Sequence, residues 1–216
     1  MSDSVTEFRS EKEGQPPVEG YLHRPGGAGR CALVLAHGAG SDCNAPLLRS
    51  LAEVFAAEGF HVLRCNLPFR QIRPKGPPSP ATGTADRLGL KHAVEALRGL
   101  KVGPVFLGGH SYGGRQATML ASDEPDLIDG LFLLSYPLHP PGRPAQLRTQ
   151  HFPRLATPAL FVHGTKDPFG TIEEMRAALA LIPGRSALVP AGNLGHSLGG
   201  KNVALVAVAA FHEFFR

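Results

Sequence analysis

The sequence 105-VFLGGHSYGG-114 decides the fold of this chain. Its apolar first half predicts a buried strand, and the pattern from about Arg115 to Ser122 predicts a helix directly after it. The turn between them, Gly109–Gly113, fits the motif G-x-S-x-G with Ser111 at its centre. A strand that bends so sharply into a helix holds its middle residue at positive φ and needs small residues two positions away. The stretch therefore presents the Ser111 hydroxyl at the carboxyl end of a strand. A glycine-rich turn without chemistry is the plain alternative, because the chain has 26 glycines.

Strands and helices alternate around this turn. Unbroken apolar runs such as Cys31–Ala36 are typical of central parallel strands that are covered on both faces. Further strands are predicted at His61–Cys65, Leu127–Ser135, Ala159–His163 and Ser186–Val189, and further helices at Ala45–Glu58, Asp86–Leu100, Thr171–Leu181 and Val203–Phe215. Two short strands, Thr6–Glu11 and Val18–His23, predict an antiparallel hairpin at a sheet edge. The whole pattern predicts an α/β fold, a doubly wound and mostly parallel sheet with helices on both faces.

The length of 216 residues predicts one domain, 1–216, in which residues 1–5 are frayed. Residues 66–85 are rich in proline and glycine and predict a long loop that is functional or mobile. Residues 136–158 are also rich in proline, with one short helix predicted near Ala145–Thr149. A connection of this size is too short for a cap domain, so the sequence predicts a minimal fold with an open site.

Composition excludes several classes of protein. A net charge of +4 with a pI near 9.2 is only mildly basic, and no nucleic-acid-binding motif accompanies it. The three cysteines, Cys31, Cys43 and Cys65, lack metal-ligand spacing, and an odd number of thiols without an export signal predicts a cytoplasmic location. No apolar run approaches the ~20 residues of a membrane-spanning helix. We therefore expect no nucleic acid, no membrane, no metal and no cofactor, while the oligomeric state stays open.

Four chemically capable segments follow predicted strands. Ser111 follows one strand, the loop His37–Gly40 follows another, and Asp167 and His196 follow the last two. Ligands of such sheets bind beyond the carboxyl ends of the strands. The sequence therefore predicts that these segments meet in one site.

At these residues the chain resembles the α/β-hydrolase family, which has a nucleophile elbow and triad members in the order nucleophile, acid, histidine. The resemblance covers about residues 18–215 and is greatest to small capless members related to dienelactone hydrolases and carboxylesterases. Some relatives of this kind are peptidases, and some are non-catalytic subunits of larger complexes. The resemblance implies a catalytic triad of Ser111, Asp167 and His196, which follow each other in that order.

The chemistry gives each residue a role. A serine hydroxyl is a poor nucleophile at neutral pH and needs an adjacent base, which His196 would supply. Asp167 would orient the imidazole and stabilise the imidazolium. The oxyanion of the tetrahedral intermediate needs donors already in place. We expect these to be the backbone N–H groups of Ala39 and Tyr112, with Gly40 as a less favoured substitute for Ala39.

Each candidate also has a plainer interpretation. Asp167 precedes a proline and could be a turn residue or a helix cap. Asp129 is a weaker candidate for the acid because it precedes its strand. His110 is expected to point away from the site. We expect packing or local hydrogen bonding for His37, His163 and His212, and a small structural role for Cys43.

Two loops are expected to shape substrate choice. Phe69, Arg70 and Arg73 follow one strand, and Tyr136 follows another. A local basic cluster consists of Arg64, Arg70, Arg73 and Lys75. This cluster is either a solvated loop or a site that attracts an anionic acyl or leaving group.

Other functions are less well supported by the sequence. Gly195–Asn202 nearly fits the phosphate-binding pattern G-x-x-x-x-G-K-[ST], but Asn202 replaces the residue that would hold Mg²⁺. A non-catalytic scaffold that kept the fold and a peptidase stay open as alternatives. A dehalogenase is disfavoured because its nucleophile is usually aspartate. The prediction is a cofactor-free serine hydrolase that cleaves carboxylic ester or thioester bonds of small soluble substrates through an acyl-enzyme.

Overall fold

A computed structural model of the protein describes residues 4–199 and 201–216. Within these ranges eight strands form one sheet: β1 (Ser4–Ser10), β2 (Val18–Arg24), β3 (Cys31–Ala36), β4 (Phe60–Asn66), β5 (Val105–His110), β6 (Gly130–Leu134), β7 (Ala159–Gly164) and β8 (Ser186–Ala191). The described helices are α1 (Pro46–Ala57), α2 (Pro68–Ile72), α3 (Gly83–Arg98), α4 (Tyr112–Asp123), α5 (Ile172–Leu179) and α6 (Lys201–Phe214).

The sheet has the predicted doubly wound architecture. Its strand order is β1-β2-β4-β3-β5-β6-β7-β8, and neighbouring strands run parallel from β4 to β8. The first two strands form the predicted antiparallel hairpin at one edge, and β2 also pairs antiparallel with β4. The chain builds β3 and β4 in one direction and then crosses to the other side of β3 to place β5. Such a reversal opens a crevice at the carboxyl ends of β3 and β5, where ligands bind in sheets of this kind.

Two apolar layers cover the two faces of the sheet. Side chains alternate along a strand, so Val34 of β3 packs in one layer while Leu33 and Leu35 pack in the other. Helices α1 and α6 supply residues such as Phe55 and Phe211 to the second layer, and α2 to α5 cover the first. No cap domain is present in the described part of the chain, as the sequence predicts.

Three local predictions are corrected. Residues 66–85 are not one irregular loop, because they contain α2 and a 3₁₀ turn at Pro80–Thr82, and α3 begins at Gly83. Both new segments start with a proline, whose fixed φ suits a first helical turn. The short helix predicted near Ala145–Thr149 is absent, and a 3₁₀ turn lies instead at Phe152–Arg154. Of the expected frayed terminus, residues 1–3 lie outside the described residues, whereas residues 4 and 5 pair with β2.

Candidate active site

The Ser111 turn adopts the geometry that its glycines predict. Ser111 has φ 51° and ψ −115° and directly precedes α4. A Cβ added at Gly113 would lie 2.6 Å from the His37 carbonyl oxygen, and one at Gly109 would lie 2.5 Å from the Gly114 nitrogen. Because neither position has room for a side chain, the glycines allow β5 to fold back closely on α4.

Ser111, His196 and Asp167 lie in hydrogen-bond contact. The Ser111 hydroxyl is positioned to donate to His196 Nε2 at 2.7 Å. The opposite ring nitrogen, His196 Nδ1, donates to the Asp167 carboxylate at 2.8 Å and 3.0 Å. The three side chains come from the segments after β5, β7 and β8, as the sequence analysis expects. The carboxylate fixes the ring tautomer in which Nε2 is free to accept the serine proton.

The environment of Asp167 keeps its carboxylate ionised. Burial alone would raise the pKa of this carboxyl, but the hydrogen bond from His196 and the bond from the Phe169 N–H hold it below the usual value. The Phe169 N–H donates to Asp167 Oδ1 at 2.9 Å. The Phe169 ring packs against the His196 imidazole with ring centroids 4.1 Å apart. Asp167 and Phe169 thus fix the imidazole from two directions.

Two further histidines support this array. His163 donates from Nε2 to the Gly170 carbonyl oxygen at 2.8 Å, the local role that the sequence analysis gives it. Burial lowers the pKa of the His163 imidazole, so it stays neutral beside Asp167. His110 corrects an expectation, because it does not point away from the site. Its Nε2 donates to the backbone oxygen of His196 at 2.7 Å and so holds the loop that carries the imidazole.

The alternative acid and the alternative nucleophile lie elsewhere. Asp129 accepts a hydrogen bond from the Val105 N–H at 2.7 Å, at the amino end of the strands. Burial raises the pKa of the Cys43 thiol to about 11, so this cysteine is protonated and inert at neutral pH.

The two predicted oxyanion donors come from two segments, Ala39 in the loop after β3 and Tyr112 at the start of α4. Ala39 and Tyr112 both line the cavity at Ser111, and within the described chain neither backbone N–H has a hydrogen-bond partner. His37 anchors the start of this loop, donating from Nδ1 to the Gly38 oxygen at 2.8 Å and accepting the Leu67 N–H at 3.1 Å. Burial lowers the pKa of His37 to about 4, so its imidazole is neutral. The two free N–H groups are therefore available to a bound oxyanion.

Arg70 holds the same loop and does not line the cavity. It is only 7% exposed, and its guanidinium donates to four backbone carbonyl oxygens. Two of these, on Ala39 and Ser41, flank the middle of the oxyanion loop at 2.8 Å and 2.9 Å. The other two belong to Arg73 and Gly76 in the following turn. The sequence analysis expects this guanidinium to face the substrate, but its donors instead join two segments of backbone.

The other predicted substrate contacts also lie away from the cavity surface. Phe69 is buried, with its ring centroid 5.5 Å from that of His37 and 5.6 Å from that of Tyr112. Tyr136 is buried, and its hydroxyl donates to the Arg148 carbonyl oxygen at 2.6 Å. Arg73 is exposed but does not line the cavity. Of the predicted basic cluster, Arg64 is buried and donates from Nε to His23 Nε2 at 2.9 Å, whereas Arg70 contacts the Arg73 backbone.

A cavity of about 470 Å³ adjoins Ser111. Its walls are formed by one face of α4, the proline-rich segment 77–80, the start of α3 and the loop after β6. Three arginines that the sequence analysis did not select line this cavity: Arg87, Arg115 and Arg148. The sequence could have indicated Arg115, because it stands four residues after Ser111 and so lies on the same face of the helix.

In residues 4–199 and 201–216, no three His, Cys, Asp or Glu side chains are grouped so as to hold a metal ion. None of the helices in these ranges is long and apolar enough to cross a membrane. The near-match to a phosphate-binding loop includes Gly200, which lies outside the described residues.

The fold and the arrangement of strand-end residues define the class of protein. The chain belongs to the α/β-hydrolase family, since a family model described as an alpha/beta hydrolase domain matches residues 29–207. Solved structures with the same fold include a dienelactone hydrolase from Anabaena variabilis, with 21% identity, a TM-score of 0.76 and coverage of 100% of this chain and 98% of that one.

Two other solved structures are similar over almost their whole length. An alpha-beta serine hydrolase homologue from Coxiella burnetii has 19% identity and a TM-score of 0.75, covering 95% of this chain and 96% of that one. The Pyrococcus furiosus esterase PF2001 has 16% identity and a TM-score of 0.77, covering 99% and 91%. At these sequence identities the likeness shows the fold alone.

Proposed function

We propose that this protein is a serine hydrolase that cleaves carboxylic ester or thioester bonds of small soluble substrates through an acyl-enzyme. A continuous chain of hydrogen bonds from Ser111 through His196 to Asp167 supports this proposal most directly, and Ser111 lines a cavity. The names of the similar structures, an esterase, a dienelactone hydrolase and a serine hydrolase homologue, support the same class.

In the first half of the proposed reaction, Ser111 Oγ attacks the carbonyl carbon while its proton passes to His196 Nε2. The tetrahedral intermediate carries an oxyanion, which accepts hydrogen bonds from the backbone N–H groups of Ala39 and Tyr112. Collapse breaks the bond to the alcohol or thiol, and His196 returns the proton to that leaving group. Asp167 stabilises the imidazolium that forms between these transfers.

In the second half, water takes the place of the leaving group. His196 accepts a proton from water, the hydroxide attacks the acyl carbon, and collapse releases the carboxylic acid and restores the Ser111 hydroxyl. No step requires a cofactor. The uncapped cavity suits short or extended soluble substrates better than long lipid chains. The cytoplasmic location remains a prediction that the free thiols of Cys31, Cys43 and Cys65 support.

The decisive experiment is intact-mass labelling with a fluorophosphonate. Wild type should gain a single adduct, Ser111→Ala should gain none, and Asp167→Asn should label at least about 10³-fold more slowly, since the imidazole loses its orienting carboxylate. Ser122→Ala is the matched control, because this serine lies at the far end of α4 and donates to the Met119 carbonyl. A folded wild type that took no label would contradict the proposal and favour the non-catalytic scaffold.

Turnover then separates the enzyme classes. A panel of p-nitrophenyl esters, acyl thioesters and peptide amides should show hydrolysis of the first two and none of the third. Cleavage of the peptides alone would replace the esterase proposal by the peptidase alternative.

A further inference from the structure

The cavity beside Ser111 is positively charged. Arg87, Arg115 and Arg148 line it, and no aspartate or glutamate of the described chain does. Within those described ranges, none of the three guanidinium groups forms an ion pair. Three neighbouring cations without a counterion repel one another, and an anion in the cavity would relieve that repulsion.

Arg115 is the centre of this group. It lies one helical turn after Ser111, roughly 5.4 Å further along the α4 axis, and Met119 continues the same face of the helix. Arg115 Nε is buried and has no hydrogen-bond partner. No other atom of the Arg115 guanidinium has a hydrogen bond or an ion pair within the described chain, so this cation is available to a ligand in the cavity.

Arg148 faces the same space from the loop after β6. It is half-buried, and its Nη1 makes a long hydrogen bond of 3.2 Å to the Pro137 carbonyl oxygen. Burial, and secondarily the charge of Arg115, lower the pKa of the Arg148 guanidinium. The two cations are thus close enough to affect each other.

The nearest carboxylates are already engaged. Asp86 accepts the Tyr112 hydroxyl at 2.6 Å and the Phe69 N–H at 2.9 Å. Asp167 accepts hydrogen bonds from His196 Nδ1 and from the Phe169 N–H. Arg87 is bound on the cavity side to neutral groups, Gln116 and Thr84, at 3.1 Å and 3.3 Å. The described residues therefore place no carboxylate on the lining of this cavity.

We propose that the cavity is an anion subsite in which Arg115 and Arg148 bind a carboxylate carried by the ester substrate, with Arg87 at the edge of the subsite. The preferred substrates are esters that bear a second, ionised carboxyl group about one helical turn from the scissile carbonyl. This inference rests on the proposed function, because it names the substrate class of the same site. The carboxylate belongs either to the acyl part or to the leaving group, and the experiment distinguishes the two.

The test compares matched pairs of esters. Monomethyl glutarate and methyl valerate differ in a carboxylate on the acyl part, and 4-acetoxybenzoate and 4-acetoxybenzamide differ in one on the leaving group. Wild type should favour the anionic member of one pair by about 10- to 100-fold in kcat/KM, the range of a hydrogen bond to a charged group. The preference should fall as salt rises from low to about 0.5 M, because the cavity is open to screening ions.

Variants then assign the preference to residues. Arg115→Gln should lower the anionic-to-neutral ratio at least about tenfold, and Arg115→Lys should keep part of it, because Lys retains the charge but not the guanidinium geometry. Arg148→Gln should act in the same direction and serves as the second variant if Arg115→Gln does not fold. Arg143→Gln is the matched control, since Arg143 is exposed on the same loop as Arg148 and lies outside the cavity lining. Equal rates within both pairs, or a ratio that these substitutions leave unchanged, would overturn the proposal.

A binding measurement separates this inference from the proposed function. Calorimetry should show that monomethyl glutarate binds to Ser111→Ala. Its Kd should be at least tenfold greater for the double variant Ser111→Ala, Arg115→Gln. This readout does not depend on turnover. If the fluorophosphonate failed to label wild type but glutarate binding still required Arg115, the hydrolase would be refuted and the anion subsite would stand. Labelling without charge-dependent binding or selectivity would refute the subsite alone.

Discussion

Among single residues, Ser111 combines a strained backbone with the proposed role of nucleophile. Its φ of 51° and ψ of −115° lie where side chains with a Cβ are rarely found. Residues in such conformations typically carry about 1–3 kcal/mol of strain, which the surrounding structure must hold in place. The surrounding glycines and the α4 helix keep the hydroxyl in position for His196.

Replacing Ser111 by glycine should stabilise the fold. We expect Ser111→Gly to have a free energy of unfolding about 1 kcal/mol greater than Ser111→Ala, because glycine accepts this conformation without steric conflict. Urea denaturation of both variants at pH 7 measures the difference. The matched pair Ser122→Gly and Ser122→Ala, at an ordinary helical position of α4, should show the opposite order. Equal stabilities at position 111 would show that the turn is not strained.

The sequence predicts some residues of the site and not others for a physical reason. Ser111, Asp167 and His196 lie one, three and five residues after the ends of β5, β7 and β8, so the parallel sheet brings all three segments to one edge. Arg70 and Tyr136 follow strand ends at similar distances, four and two residues on, but the local path of the backbone turns both buried side chains into hydrogen bonds with carbonyl oxygens. Arg115 shows the reverse case, because its place in the cavity follows from simple helical spacing after Ser111.

At the scale of elements, the short helix α2 is a support for the oxyanion loop. Its five residues, Pro68–Ile72, carry Arg70 to the carbonyl oxygens of Ala39 and Ser41. The local sequence is dominated by proline signals that predict a loop, and only tertiary contacts show that the first turn after Leu67 is helical. Helical propensity is weak over so few residues, so α2 depends on what it binds.

Arg70→Gln should therefore slow catalysis chiefly through kcat. A glutamine lacks the charge and the reach to bind four carbonyl groups, so the Ala39 N–H would lose its fixed position and about 10- to 100-fold in kcat would be lost with a smaller change in KM. Ester kinetics measure both constants. Arg49→Gln, at an exposed position of α1, is the control for removing an arginine. A change confined to KM would instead favour a direct substrate contact for Arg70.

At the scale of the whole molecule, buried neutral histidines recur on both sides of the active site. Burial lowers the pKa of His37 and of His151 to about 4, and it lowers the pKa of His110 and His163 as well. A histidine whose pKa is lower in the folded state than in the unfolded state binds fewer protons when folded. Its contribution to stability is complete above the unfolded pKa near 6.5 and is lost as the pH falls towards 4.

Acid should therefore destabilise the fold before the carboxylates titrate. Moving from pH 7 to pH 5 should lower the free energy of unfolding by on the order of 2 kcal/mol for each of His37 and His151. Urea titrations at the two pH values measure the loss, and His151→Gln should reduce it because one of the titrating groups is removed. The same free energy of unfolding at pH 5 and pH 7 would mean that folding does not lower the pKa of these imidazoles.

The fold class could be predicted from the sequence because the apolar runs and the helical periods are strong signals. The alternation from Cys31 onward predicts a parallel sheet, and the structure confirms it. The pattern does not say which strands are neighbours, since the placement of β3 between β4 and β5 depends on how the crossovers pack. That placement creates the crevice in which Ala39 and Ser111 meet.

The strained turn at Ser111 also bears on how this sequence has been selected. A chain that used the fold only as a scaffold would become more stable if glycine replaced Ser111, and the replacement needs no compensating change elsewhere. Random substitution would therefore remove the serine from a lineage that had no use for its hydroxyl. A serine held in this conformation is unfavourable for folding, and its presence supports the proposal that its hydroxyl is the nucleophile.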